Sequence, residues 1–312
     1  MKIAICISGS LRQFVTCYAN LQENILNSLD ENGVEYDFFL STWKDEYGYE
    51  KINFEDEETF EYALNLYKPK KYNYEIYSNE KRKKLAEESG LAKHQKKYKD
   101  QKTSSSYKEA VTGGKYANNS VGQLYNIYKA NEVKKEYEQE NNFTYDYVIR
   151  YRFDNMIINL EKHPKIAFFD FVKTIEKNHL YFPKTRWYYP RIDSRTGYND
   201  TDHYEEIENL QVVPSCPDDK FAIGHSKEMD ILSSIYPNLP RIIEVGMEKY
   251  RVYPSIHYMM KFMCDENKIQ AVPSPYIFNI YYKCAGLREE GSNNSLTHLR
   301  KVEKKKKKKG KK

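Results

Sequence analysis

The first 43 residues constrain the fold more than any other stretch. "KIAICI" (2–7) is a short, continuous apolar run that breaks into the polar loop "SGSLRQF". Phe14, Cys17, Tyr18, Leu21, Ile25 and Leu29 then recur every three or four residues, which is helical spacing. "VEYDFFLSTW" (34–43) is a second strand-like run. Strand, loop, helix and strand in that order predict the first unit of a mostly parallel sheet flanked by helices, an α/β fold.

The rest of the chain repeats the alternation. A short acidic helix is expected near 55–67, and a strand in "KPKKYNYEIY" (68–77). Residues 79–115 are charged and polar with little periodicity, which predicts a helical insertion or a lid-like loop. The segment 120–141 is an amphipathic helix with Val121, Leu124, Ile127, Tyr128 and Val133 as its core positions. It leads into "DYVIRYRFDN" (146–155). "HLYFP" (179–183) and 221–224 are further short strands, the latter followed by a helix, and "YPSIHYMMKFMCDENKIQAVP" is helix then strand. No internal repeat or linker interrupts the chain, so one domain over 1–300 is expected.

Composition narrows the function classes. The net charge is +5, but "KVEKKKKKKGKK" (301–312) holds nine lysines against Glu303 and so contributes +8. Residues 1–300 therefore carry +5 − 8 = −3, which does not support a nucleic-acid footprint spread over the fold and leaves nucleic-acid binding through the basic tail as the lesser alternative. A tail so rich in like charges buries no apolar area and is expected to be disordered. Five cysteines, odd in number and without CxxC spacing, argue against a zinc site or a disulfide framework. With no apolar run of membrane-spanning length, the expectation is a cytoplasmic protein without a transmembrane segment.

Three stretches could carry chemistry. Ser8, Gly9, Ser10 and Arg12 follow the first strand, where an α/β sheet places its ligand crevice. A glycine permits close backbone approach, while hydroxyls and a cation suit phosphate oxygens. The spacing is neither GxGxxG nor a P-loop, so a plain turn with a surface arginine is the alternative. In "VIRYRFD", strand alternation puts Arg150, Arg152 and Asp154 on one face and Ile149, Tyr151 and Phe153 on the other. A carboxylate flanked by cations at a strand end suits a divalent metal bridging a diphosphate, and it equally suits a buried Arg–Asp salt bridge. In "PSCPDDKFAIGHS", Asp218 and Asp219 could supply a general base or form an ordinary solvated turn. His225 could ligate a metal or be a structural histidine.

Taken in order, "KIAICISGSLRQF", "FFLSTW", "QLYNIYKANE", "YDYVIRYRFD", "DDKFAIGHSKEMDI" and "IYPNL" resemble a family of glycosyltransferase-like proteins. That family occurs in bacterial surface-polysaccharide loci and in large DNA viruses, and is related to WavE-type lipopolysaccharide synthesis proteins. The resemblance spans roughly residues 2–280. It implies a GT-A-like fold, a nucleotide-sugar donor, a glycan or glycoprotein acceptor, and Mn²⁺ or Mg²⁺ held by a DxD-type motif. "RFD" stands where that motif would fall, so the resemblance implies Asp154 as the metal and diphosphate contact. Arg152 replaces the first acid of the motif. The resemblance also implies that Ser8–Arg12 holds the nucleotide and that Asp218 or Asp219 lies near the acceptor. Ser255 departs from it, standing after Pro254 where relatives carry an acid.

Overall fold

The computed structural model describes residues 1–11, 13–45, 57–91, 114–157, 166–183, 217–246, 256–276 and 278–280. Arg12, most of the 79–115 insertion, the aromatic connection at 186–204 and the lysine tail at 301–312 lie outside the described residues.

A seven-stranded sheet forms the centre of the fold. Its strands are β1 (Lys2–Ser8), β2 (Glu35–Asp45), β3 (Lys71–Tyr77), β4 (Tyr147–Arg152), β6 (His179–Phe182), β7 (Ala222–His225) and β8 (Gln270–Pro273), in the order β3-β2-β1-β4-β7-β6-β8. β1 is parallel to both β2 and β4, β2 to β3, and β6 to β8. β7 alone runs against its neighbours, β4 and β6. A separate antiparallel ribbon pairs β5 (Asn155–Ile157) with β9 (Phe278–Ile280). The expected mixed, mostly parallel sheet is therefore what forms.

Each face of the sheet buries its own core because side chains alternate along every strand. Ile3, Ile5, Ile7, Phe38, Leu40, Ile149, Tyr151 and Ile223 face one way. They pack under α1 (Phe14–Leu21), which continues through a π turn at Gln22–Leu26 into α2 (Asn27–Asp30). α3 (Glu57–Tyr67) and α6 (Phe168–Val172) close the same side through Phe60, Ala63, Phe168 and Phe171.

Ala4, Cys6, Phe39, Trp43, Val148, Leu180 and Ala222 face the other way. There α5 (Gly114–Asn141), 28 residues long, lies across the sheet. The helices α4 (Asn79–Glu88), α7 (Ser226–Ser233), α8 (Ile235–Arg241) and α9 (Ile256–Glu266) complete that layer. Val121, Leu124 and Ile127 are buried as the spacing predicts, each contributing on the order of 2 kcal/mol from apolar burial. Tyr128 and Val133 are only half-buried.

α5 also carries polar groups into the core. Lys134 is fully buried, and its ammonium reaches Glu138 at 3.0 Å, Asp230 at 2.8 Å and the Ser226 hydroxyl at 2.9 Å. Those bonds tie α5 to α7. Burial lowers the lysine's basicity, but the two carboxylates outweigh it and the net shift is upward. Beside this network the Cys6 thiol is pushed up to about 12 by burial, so it is held as an unreactive thiol. Among the described residues, no helix is long and apolar enough to cross a membrane.

Candidate functional site at the carboxyl ends of β1 and β4

The chain leaves β1 toward β2 and β3 on one side and later returns as β4 on the other. Helix connections from β1 and into β4 thus diverge, and a crevice between the strand carboxyl ends is the place where open α/β sheets bind ligands. Ser8 and Arg152 end the two strands and are register partners.

Gly9 turns the chain just beyond Ser8. Its φ of +119° lies in a region that residues with a Cβ rarely adopt, although a Cβ there would meet no atom within 4 Å. Backbone freedom, and not lack of space, is what the glycine supplies. The loop is anchored to β2, because the Gly9 N–H donates to the Ser41 carbonyl at 3.1 Å and the Thr42 hydroxyl donates to the Gly9 carbonyl at 2.7 Å. Ser10 follows it, partly exposed.

Alternation places Arg150 on the same face as Val148, opposite Cys6 and under α5. It is 2% exposed, yet among the described residues none of its three guanidinium nitrogens has a hydrogen-bond partner. Burial pushes its ionisation down to about 10, with Asp219 opposing that shift and Arg152 adding to it, so the group is cationic at neutral pH. The Ser8 hydroxyl and the Asn126 amide nitrogen on the same face are also buried without partners among the described residues. The Asn126 carbonyl oxygen is fixed by the Ser41 hydroxyl at 2.8 Å, which leaves its amide donors oriented. Five nitrogen or hydroxyl atoms from β1, β4 and α5 are therefore desolvated and unsatisfied. A native fold rarely tolerates that without a ligand or ordered water as partner.

Arg152 is differently placed. The strand ends at Arg152 and Asp154 sits in the following turn, so alternation no longer governs where the carboxylate points. Arg152 instead draws it back with a two-pronged ion pair, Nε to Oδ1 at 2.8 Å and Nη2 to Oδ2 at 3.0 Å. Both carboxylate oxygens face one guanidinium, a geometry that is strong when buried, and Asp154 is 2% exposed. The third nitrogen of Arg152 reaches Asp219 Oδ2 at 3.5 Å.

Asp219 also accepts a hydrogen bond from the Gln123 amide. Burial raises its pKa, but the charges of His257, Arg152 and Arg150 with the Gln123 bond win, and the carboxyl is held well below the usual carboxylate range. In this arrangement Asp219 pairs with Arg152 and accepts from Gln123. Asp218 forms a local turn, accepting from the Lys220 N–H at 3.1 Å and pairing with the Lys220 ammonium.

His225 does not join these residues. β7 is antiparallel to β4, so His225 registers with Tyr147 at the start of β4, and the two rings meet at a tilt with centroids 4.6 Å apart. Five residues of strand separate Tyr147 from Arg152, about 17 Å at the usual rise per residue.

The expected divalent cation fits this donor set poorly. Among the described residues, no three His, Cys, Asp or Glu side chains converge on a common point. Asp154 gives both oxygens to Arg152, Asp218 is bound to Lys220, and Asp219 is bound to Gln123 and Arg152.

Gln123, Asn126 and His257 are site residues that sequence reasoning missed. The first two lie on the sheet-facing side of α5, where the apolar spacing already predicted a core face. His257 begins α9 and is fixed through Nδ1, which donates to the Pro217 carbonyl at 2.9 Å. No local pattern marks it.

No family model matches the chain, and no curated protein matches it. Among solved structures, the apo form of mouse xyloside xylosyltransferase 1 is similar at 10% identity, over 88% of this chain and 85% of that one, with a TM-score of 0.37. The nucleoside-diphosphate-sugar pyrophosphorylase from Vibrio cholerae RC9 is similar at 9% identity, over 87% of this chain and 90% of that one, with a TM-score of 0.35. At these values neither likeness bears on residues or activity.

Proposed function

We propose that the chain is a nucleotide-sugar-dependent glycosyltransferase that moves a sugar from a nucleoside-diphosphate donor to a hydroxyl of a glycan or glycoprotein. The observation that carries this reading is the buried, unpartnered guanidinium of Arg150 at the strand-order switch, beside the unpartnered Ser8 hydroxyl and Asn126 amide. Fixed, buried donors match the oxygens of a diphosphate, and they would stabilise the charge that develops there when it leaves. In the reaction, the bond between the sugar C1 and the β-phosphate oxygen breaks. A bond from C1 to the acceptor oxygen forms, and the acceptor's proton passes to a base. The ordered likeness of the sequence segments to glycosyltransferase-like proteins supports the same reading.

A second reading is a nucleotide-sugar-binding protein without turnover. The engagement of Asp219 by Arg152 and Gln123 favours it, because a carboxylate stabilised in this way is a poor base.

Thermal-shift measurements with UDP-, GDP- and dTDP-sugars test the shared step. A ligand at about a hundred times its Kd adds about 2.7 kcal/mol, which is a shift of several degrees for a chain of this size. One donor class should stabilise the protein, and release of its nucleoside diphosphate in the presence of acceptor glycans identifies a transferase. Stabilisation without release across a broad acceptor panel identifies a binding protein. Absence of stabilisation by every nucleotide sugar overturns both readings.

A further inference from the structure

The arrangement of Arg152 and Asp154 bears on how a donor diphosphate is neutralised, given the reading of the site proposed above. Where a metal-dependent site would offer a free carboxylate, Asp154 presents both oxygens to the Arg152 fork. Metal binding through Asp154 would first have to break two charge-assisted hydrogen bonds in a buried setting. Asp219 offers no ready second ligand, because Gln123 and the remaining nitrogen of Arg152 hold it. The guanidinium thus occupies the position at Asp154 that a cation would need. Meanwhile Arg150 lies one alternation step earlier on β4 with all its donors unused.

The geometry points to a donor site in which arginines do the work of the divalent cation: Arg150 contacts the diphosphate, Arg152 is the fixed positive charge beside it, and Asp154 is a positioning residue that holds Arg152. Nucleoside-diphosphate binding then requires no metal. Among the described residues, the carboxylates of Asp154, Asp218 and Asp219 are already held by cationic or amide donors, and a guanidinium supplies planar paired donors that suit phosphate oxygens. Asp154 also imposes a cost. Its negative charge beside the arginines repels the incoming diphosphate, so neutralising it while keeping a hydrogen-bond acceptor should tighten binding.

Titration calorimetry of the full chain with UDP and GDP, in excess EDTA and in excess Mn²⁺, tests this. Affinity in EDTA is expected within about threefold of that in Mn²⁺, a difference of about 0.6 kcal/mol or less. Asp154→Asn is expected to bind at least about threefold more tightly than wild type in EDTA. Binding that appears only with Mn²⁺, or is strengthened by it beyond that margin, overturns the inference and leaves the nucleotide-site reading standing. Unchanged or weaker binding by a folded Asp154→Asn protein also overturns it. Failure of both nucleotides to bind in either buffer overturns the reading of the site and this inference with it. If Asp154→Asn does not fold, the comparison of buffers on the wild-type chain decides alone.

Discussion

Arg150 and Lys134 are both buried cations facing the same helix layer, yet they stand in opposite relations to their surroundings. Lys134 has three partners, two of them carboxylates, whereas the Arg150 guanidinium has no hydrogen-bond partner among the described residues. The same substitution should therefore separate a structural cation from one kept for a ligand. Lys134→Met leaves Glu138 and Asp230 uncompensated, and breaking a buried pair from one side costs about 3 kcal/mol. Arg150→Met removes unsatisfied donors, each of which costs about 1–3 kcal/mol when buried. Urea unfolding should show Lys134→Met clearly destabilised and Arg150→Met at least as stable as wild type. In thermal shift, Arg150→Met should lose the stabilisation given by nucleoside diphosphates, while Lys134→Met retains it. A destabilised Arg150→Met protein that still binds nucleotide would make Arg150 a structural residue and remove the main support for the site.

At the scale of the elements, β7 shows what a single sequence conveys and what it withholds. "FAIGHS" is legible as a strand before a helix, because a short apolar run gives way to a polar start. Its direction is not legible, since pairing is a property of two segments. That is why His225, readable from the sequence either as a metal ligand or as a structural histidine, lies at the other end of β4 from Asp154. On α5 the apolar stripe was readable from spacing, but Gln123, Asn126, Lys134 and Glu138 were not. Periodicity records where apolar residues fall and is blind to polar groups on the buried side. β7 also carries a packing constraint that no pattern reveals. A Cβ on Gly224 would meet the Leu180 side chain at 2.5 Å and the His179 carbonyl oxygen at 2.9 Å. Leu180 could turn aside, but the carbonyl belongs to the neighbouring β6 backbone and cannot. Gly224→Ala should cost about 1–3 kcal/mol, as overpacking in a core does, and a lowered urea midpoint with an unchanged slope would show it. A neutral effect would mean that β6 and β7 are less tightly joined than their register implies.

Across the whole molecule, charge is divided between two parts with different expected roles. Residues 1–300 carry −3 and residues 301–312 carry +8, so any attraction to polyanions from net charge resides in the tail. The candidate donor site is built differently, from buried, fixed donors. Arg152 is balanced by Asp154 and Asp219, whereas the Arg150 guanidinium has no hydrogen-bond partner among the described residues. Salt should then affect the two in different ways, because exposed charges are screened over about 8 Å at physiological ionic strength while buried ones are screened far less. Removal of 301–312 should shorten retention on heparin and flatten its dependence on salt, and should leave the thermal shift produced by nucleoside diphosphates unchanged. If truncation abolishes that shift, the tail contributes to the ligand site and the crevice at β1 and β4 is insufficient by itself.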